Sequence, residues 1–245
     1  MNDIEVIEPG WSVHPRVRAA FTLRYGGVSV GPFASLNLGA HVGDAPRAVA
    51  ENRLRMRQRL HLPAEPTWLQ QIHGTAVVNL DEGGVPGAAD AALTRQSGRV
   101  CVIQVADCLP VLFAAMDGSA IAAAHAGWRG LAAGVLESTV RSLGMRAEQL
   151  CAWIGPGIGP RHFEVGAEVR AAFLAGDLAA EASFEANERG RWQCHLSALA
   201  RRRLSALGIR EISGAEHCTY ADPERFFSYR RDGQCGRMAA LVWLD

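Results

Sequence analysis

The sequence predicts an α+β domain in which packed sheets carry outer helices. Three observations lead there. Strand-like apolar runs and helix-periodic stretches mix along the chain without the regular alternation of a βαβ repeat. No Pro/Ser-rich linker interrupts the 245 residues, and a chain of this length can bury a sizeable core as one unit. A single domain over residues 1–245 is therefore expected.

In chain order, Ala20-Phe21-Thr22-Leu23-Arg24 reads as a strand. The Gly-rich turn Tyr25-Gly26-Gly27-Val28-Ser29 and the loop Ser35-Leu36-Asn37-Leu38-Gly39 follow, and turns of this kind carry function more often than regular elements do. Residues 46–60 read as an Arg-rich amphipathic helix with Val49, Leu54 and Leu60 among its apolar positions. Strand-like runs come next at 67–78, 100–106 and 111–116, the last two separated by Asp107-Cys108-Leu109-Pro110. A fourth run, 120–124, delivers the chain into His125-Ala126-Gly127-Trp128-Arg129-Gly130. Beyond that loop Val135, Leu136, Val140 and Leu143 recur at helical spacing. Residues 150–154 read as a strand, Gly155-Pro156-Gly157-Ile158-Gly159-Pro160 as a rigid loop, 166–176 and 196–207 as helices, and 237–244 as a final strand.

Composition narrows the chemistry. Acidic and basic residues number 25 each, so no global charge points to a nucleic-acid partner or an anionic membrane. Every basic residue is arginine, which excludes a lysine Schiff base, a catalytic lysine and the lysine of a Walker phosphate loop. Any anion must be gripped by Arg, backbone N–H or metal. No apolar run reaches the roughly 18 to 20 residues of a membrane span, and the start, Met1-Asn2-Asp3-Ile4-Glu5, lacks the basic and apolar regions of a signal peptide. A cytoplasmic location is expected. Cysteines 101, 108, 151, 194, 218 and 235 form no CxxC pair and read as reduced, mostly buried thiols.

His73, Cys108 and His125 are the candidate metal ligands and catalytic residues. Imidazole and thiolate form a borderline-soft donor set that suits zinc or copper, and three protein ligands leave the open position of a catalytic site. Their spacing of 35 and 17 residues does not by itself separate this reading from buried core histidines and an inert thiol. A further reading makes Cys108 a thiolate nucleophile activated by His73 or His125.

The words around these residues are more specific. Trp68-Leu69-Gln70-Gln71-Ile72-His73-Gly74, Ala106-Asp107-Cys108-Leu109-Pro110-Val111-Leu112, His125-Ala126-Gly127-Trp128-Arg129-Gly130 and Phe226-Phe227-Ser228-Tyr229-Arg230-Arg231-Asp232-Gly233 resemble the laccase-domain family, also called the YfiH or multicopper-polyphenol-oxidase-like family. Arg24 to Ser29, Ser35 to Gly39 and Gly155 to Gly166 extend the resemblance over nearly the whole chain, in order. It implies an α/β/β/α layered, cysteine-hydrolase-like fold and a metal held at His73, Cys108 and His125. It also implies purine nucleoside phosphorylase activity on adenosine, inosine, guanosine and methylthioadenosine, with adenosine deaminase activity at the same site. The chain departs from the family pattern at Arg161, where cysteine is common, and at Cys194-His195-Leu196, where an acidic residue often precedes the leucine.

Phosphorolysis requires a grip on phosphate beside the sugar and stabilisation of the departing purine. Arg24 and Arg129 are the phosphate candidates, with Arg stacked on Trp128 as the structural alternative for the second. Gln71 and Asn37 are candidates for base or ribose, against backbone capping. Tyr229 and Arg230 are candidates to stack on or bind the substrate. Deamination needs an activated water and a nearby proton carrier; Asp107 is adjacent in sequence to Cys108 but is expected to brace the turn. The expected ion is zinc, with copper as the alternative. Three other readings compete: a Cys-His amidase that edits peptidoglycan precursors, a metal-dependent binding protein without turnover, and a copper-dependent polyphenol oxidase. The last needs paired His-x-His and His-Cys-His words, and none of the eight histidines stands in such a pair.

Overall fold

The long strands bury both of their faces, and that fixes the layering. In β13 (Met238–Leu244), Met238, Ala240, Val242 and Leu244 point into one apolar cluster, while Ala239, Leu241 and Trp243 point into another. The computed structural model describes residues 4–83 and 87–245; the reading of the first five residues falls partly outside them.

Two sheets are stacked. The first is antiparallel, with β1 (Val6–Ile7) and β2 (Val17–Thr22) on one side of β13 and β5 (Val100–Val105) on the other. The second has six strands, ordered β12 (Glu211–Gly214), β8 (Leu150–Ile154), β6 (Leu109–Ala115), β7 (Ile121–Ala126), β4 (Ala91–Thr94) and β3 (Val77–Asn79). Its β12–β8 and β3–β4 pairs are parallel and the others antiparallel. Between the sheets lie Phe21, Ile103, Leu112, Ile121, Trp153, Met238 and Val242.

Each outer face is covered by helices. Helix α1 (Pro46–Arg59) closes the first sheet, where Met56 joins Leu36, Leu38 and Leu241. On the second sheet lie α2 (Trp128–Ala133), α3 (Val135–Leu143), α4 (Ala167–Leu174) and α5 (Leu196–Ala206), with Leu131, Leu136, Val169 and Leu199 packed on Phe113 and Ala124. The result is the α/β/β/α order the resemblance implied. A small sheet of β9 (Glu164–Val165), β10 (Phe184–Ala186) and β11 (Trp192–Cys194) and a short helix α6 (Tyr229–Asp232) complete it.

Some expectations are corrected. The run 67–78 is not one strand: it makes isolated bridges at Thr67 and Gln70, and His73 takes a left-handed φ of 61°, which breaks the extended path. The helix after His125 is split by Gly134, at φ 100°, into α2 and α3. In α1 the apolar Leu54 is exposed, whereas Asn52 is buried with Val49 and Met56, because the Asn52 amide binds Ser29 Oγ, Ser35 O, Asn37 O and the Val28 N–H.

Candidate metal centre

Strand register brings the three ligands together. Strand β6 starts where β7 ends, with Leu109 opposite Ala126 and Pro110 opposite His125, so Cys108, in the turn before β6, stands beside Gly127. The loop carrying His73 lies against the same corner. Cys108 Sγ and His73 Nε2 are 3.8 Å apart, and the His73 and His125 rings meet edge-on at 4.7 Å. All three donor atoms fall within 4.8 Å of one another. A tetrahedral zinc ion with ordinary Zn–S and Zn–N bonds separates such donors by about 3.5 Å, so a small closure of the three side chains lets the set hold one ion. Among the described residues it is the one such cluster of His, Cys, Asp or Glu.

Gly127 makes room for the cluster. A methyl group there would lie 2.7 Å from His73 Cδ2 and 2.9 Å from Cys108 Sγ. At Gly130 a methyl group would meet Gly74 O at 2.9 Å, so the two glycines let α2 start directly against the His73–Gly74 loop. His125 is buried and His73 exposed, which leaves the cluster open on the His73 side.

Burial pushes the Cys108 thiol up, but the neighbouring His125 charge and hydrogen bonds from both imidazoles outweigh it and bring the thiol down to about 6. Burial likewise lowers His125, while the Cys108 thiolate and the Asp90 carboxylate raise it to about 9. The corner favours a thiolate beside an imidazolium, whose shared proton a divalent cation can displace.

The other expected residues divide by what they touch. Asp107, at φ 92°, braces the Cys108 turn: its carboxylate accepts from Thr219 Oγ1 at 2.6 Å and from the Arg230 N–H at 2.7 Å. Arg230 thereby hangs α6 on the cluster, while its guanidinium donates to Glu164 O. Tyr229 is 60% exposed beside it. Arg129 is exposed, with its guanidinium over the Trp128 ring at 4.4 Å and no hydrogen-bond acceptor among the described residues. Arg24 spends three donors on Ala34 O and Pro223 O and stacks on Phe227. The Gln71 amide pairs with both backbone groups of Gln104, tying the His73 loop to β5. Asn37 is fully buried, its amide bound to Gly39, Asp44 and the Arg237 N–H, as in a backbone brace.

The sequence reading passed over Asp90. Its carboxylate binds His125 Nδ1 at 2.8 Å and receives the N–H groups of Ile72, His73 and Gly74 at 3.2, 2.9 and 2.6 Å. Burial alone would raise this carboxyl, yet the bonds from His125 and the loop hold it below its ordinary range. The signal for it was a lone acid in the otherwise apolar run Ala88-Ala89-Asp90-Ala91-Ala92-Leu93.

Comparison with known proteins finds relatives that match nearly the whole chain. The sequence profile of the family described as multi-copper polyphenol oxidoreductase laccase matches residues 18–245. A Pseudomonas aeruginosa protein named purine nucleoside phosphorylase is 52% identical over 240 residues, covering 98% of both chains. Escherichia coli purine nucleoside phosphorylase YfiH is 49% identical over 243 residues, covering 98% of this chain and 99% of its own. A crystal structure of a Neisseria meningitidis protein superimposes with a TM-score of 0.94 at 45% identity, covering 98% of this chain and 99% of that one.

Proposed function

The chain belongs to the multi-copper polyphenol oxidoreductase laccase family over residues 18–245, and on that premise we propose that it is a purine nucleoside phosphorylase, with adenosine deamination at the same metal-assisted site. Adenosine, inosine, guanosine and methylthioadenosine are the proposed substrates and phosphate the co-substrate. The carrying observation is the open His73–Cys108–His125 cluster, in a chain about half identical to proteins named for that activity.

When bound to these three residues, a divalent ion, zinc by the donor set and copper as the alternative, supplies Lewis acidity and a means of ionising water near neutral pH. The remaining tasks fall to the chain. In phosphorolysis a phosphate oxygen bonds to C1′ as the bond from C1′ to the purine nitrogen breaks; the electron pair leaves with the purine, which takes up a proton. Arg129 suits the phosphate, because its guanidinium is exposed and free of acceptors among the described residues. Arg24, with three donors committed to carbonyls, suits a wall of the same site. Exposed Tyr229 and Arg230 offer a stacking face and remaining donors to the nucleoside. Gln71 braces the His73 loop on β5, and Asn37 braces its own loop against Asp44 and Arg237.

One cluster of three ligands supports a single ion, whereas a multicopper oxidase couples several. A second reading has its own support: Asp90, His125 and Cys108 stand in the order carboxylate, imidazole, thiolate, which serves an amidase acting on a peptidoglycan precursor. Product analysis separates the readings. Adenosine should yield adenine and ribose 1-phosphate only when phosphate is present, and inosine without it. Cleavage of a muramyl-serine precursor, with adenosine untouched, would replace phosphorolysis by the amidase.

A further inference from the structure

The two histidines of the cluster come from different elements, His125 from the end of β7 and His73 from a loop without regular structure. One buried side chain touches both. Asp90 precedes β4, and the β4–β7 register, with Ala91 opposite Ala124, places it across from His125, whose N–H donates to Asp90 O at 2.7 Å. Its Oδ1 accepts from His125 Nδ1 and from the His73 N–H; its Oδ2 accepts from the Ile72 and Gly74 N–H groups. Three successive N–H groups converging on one anion form a nest, and here the anion is a side chain of the same protein.

We infer that Asp90 is the positioning residue of this centre, one carboxylate that fixes the tautomer of His125 and the loop conformation of His73 together.

With one proton held on Nδ1 by Asp90, Nε2 of His125, turned toward Cys108, is the nitrogen left to give up its proton to a metal. His73 sits at φ 61°, a conformation that a non-glycine residue keeps only when its surroundings enforce it. The nest enforces it, because an extended His73 would carry at least one of the three N–H groups away from the carboxylate. Charge fits as well: the Asp90 carboxylate and the Cys108 thiolate together match the two positive charges of a divalent ion, so the filled corner is neutral. An asparagine cannot reproduce this, since it replaces one acceptor oxygen by a donor facing N–H groups that are already donors.

The inference rests on the metal-site reading, and cobalt serves as the probe for both. Titration of metal-free protein with Co(II), followed by its visible absorption, should give a tetrahedral spectrum for the wild type. Asp90→Asn should bind about tenfold to a hundredfold more weakly, with altered bands. Nitrogen-15 NMR of the metal-loaded wild type should show His125 protonated at Nδ1 and bare at Nε2; this second measurement decides the matter if Asp90→Asn does not fold. Wild-type protein that takes up no cobalt overturns the metal-site reading itself. Wild type that binds cobalt, with Asp90→Asn matching it in affinity and spectrum or with His125 protonated at Nε2, overturns the role of Asp90 alone.

Discussion

At the scale of single residues, the cluster makes Cys108 distinctive among six thiols. Cys101, Cys151, Cys194 and Cys235 are buried, and burial pushes each of them up. Cys108 is held at about 6. The thiolate is the reactive form, so alkylation of metal-free protein by iodoacetamide should rise with pH to half its plateau near pH 6, where an ordinary thiol needs about 8.5. Bound metal should slow it and chelation restore it. A midpoint in the ordinary range would remove the imidazole–thiolate pairing. His73→Ala, Cys108→Ala and His125→Ala should each lower bound metal and nearly abolish turnover while circular dichroism stays native; full metal occupancy in any of them removes that residue from the set. Gly127→Ala tests the geometry without deleting a ligand. The backbone there, at φ −63°, accepts alanine, so weakened cobalt binding would report the crowding of His73 and Cys108, and unchanged binding would refute it. For Arg129→Ala, losing a charge-assisted contact to phosphate of about 1.5 to 3 kcal/mol should raise the phosphate requirement roughly tenfold to a hundredfold and spare deamination. Equal loss of both reactions, measured side by side, would make the residue structural.

At the scale of elements, what was legible in the sequence follows from how each ligand is delivered. Cys108 and His125 lie beside strands whose apolar runs are plain, and the final register of β6 on β7 joins them. His73 lies in a loop, and Gln71, a candidate for base or ribose by sequence, instead turns its amide to the backbone of β5. Asp90 left no motif because three of its four side-chain partners are backbone N–H groups, which every residue but proline carries. The Asp107 turn shows the same economy. Asp107→Ala removes two hydrogen bonds while keeping the left-handed backbone, and should cost about 1 to 3 kcal/mol in urea denaturation. No loss of stability would mean that Thr219 and α6 are held without it.

At the scale of the whole molecule, packed sheets with outer helices were legible from the mix of strand-like and helix-periodic runs, and the α/β/β/α order from the family resemblance. The small sheet of β9 to β11 was not, since strands of two or three residues carry no period. The middle layer should dominate stability. Leu112→Ala, fully buried between the sheets, should cost about 2 to 5 kcal/mol, and a value near zero would show that the two sheets are not tightly packed.

Strand β13 sits between β2 and β5, and the Ala239 N–H reaches Thr22 Oγ1 from 217 positions along the chain. A ribosome makes β2 and β5 long before β13. While β13 is still in the exit tunnel, the emerging chain has two strands waiting for a partner that does not yet exist, their unpaired edges open to other chains. The Asp107–Cys108 turn leaves β5 directly, so the candidate metal corner is not braced from that side until β13 has paired with β5. A newly made chain that binds an ion at this corner should therefore acquire it only after β13 has left the ribosome, and a pulse of labelled protein should gain metal binding and protease resistance in the same step.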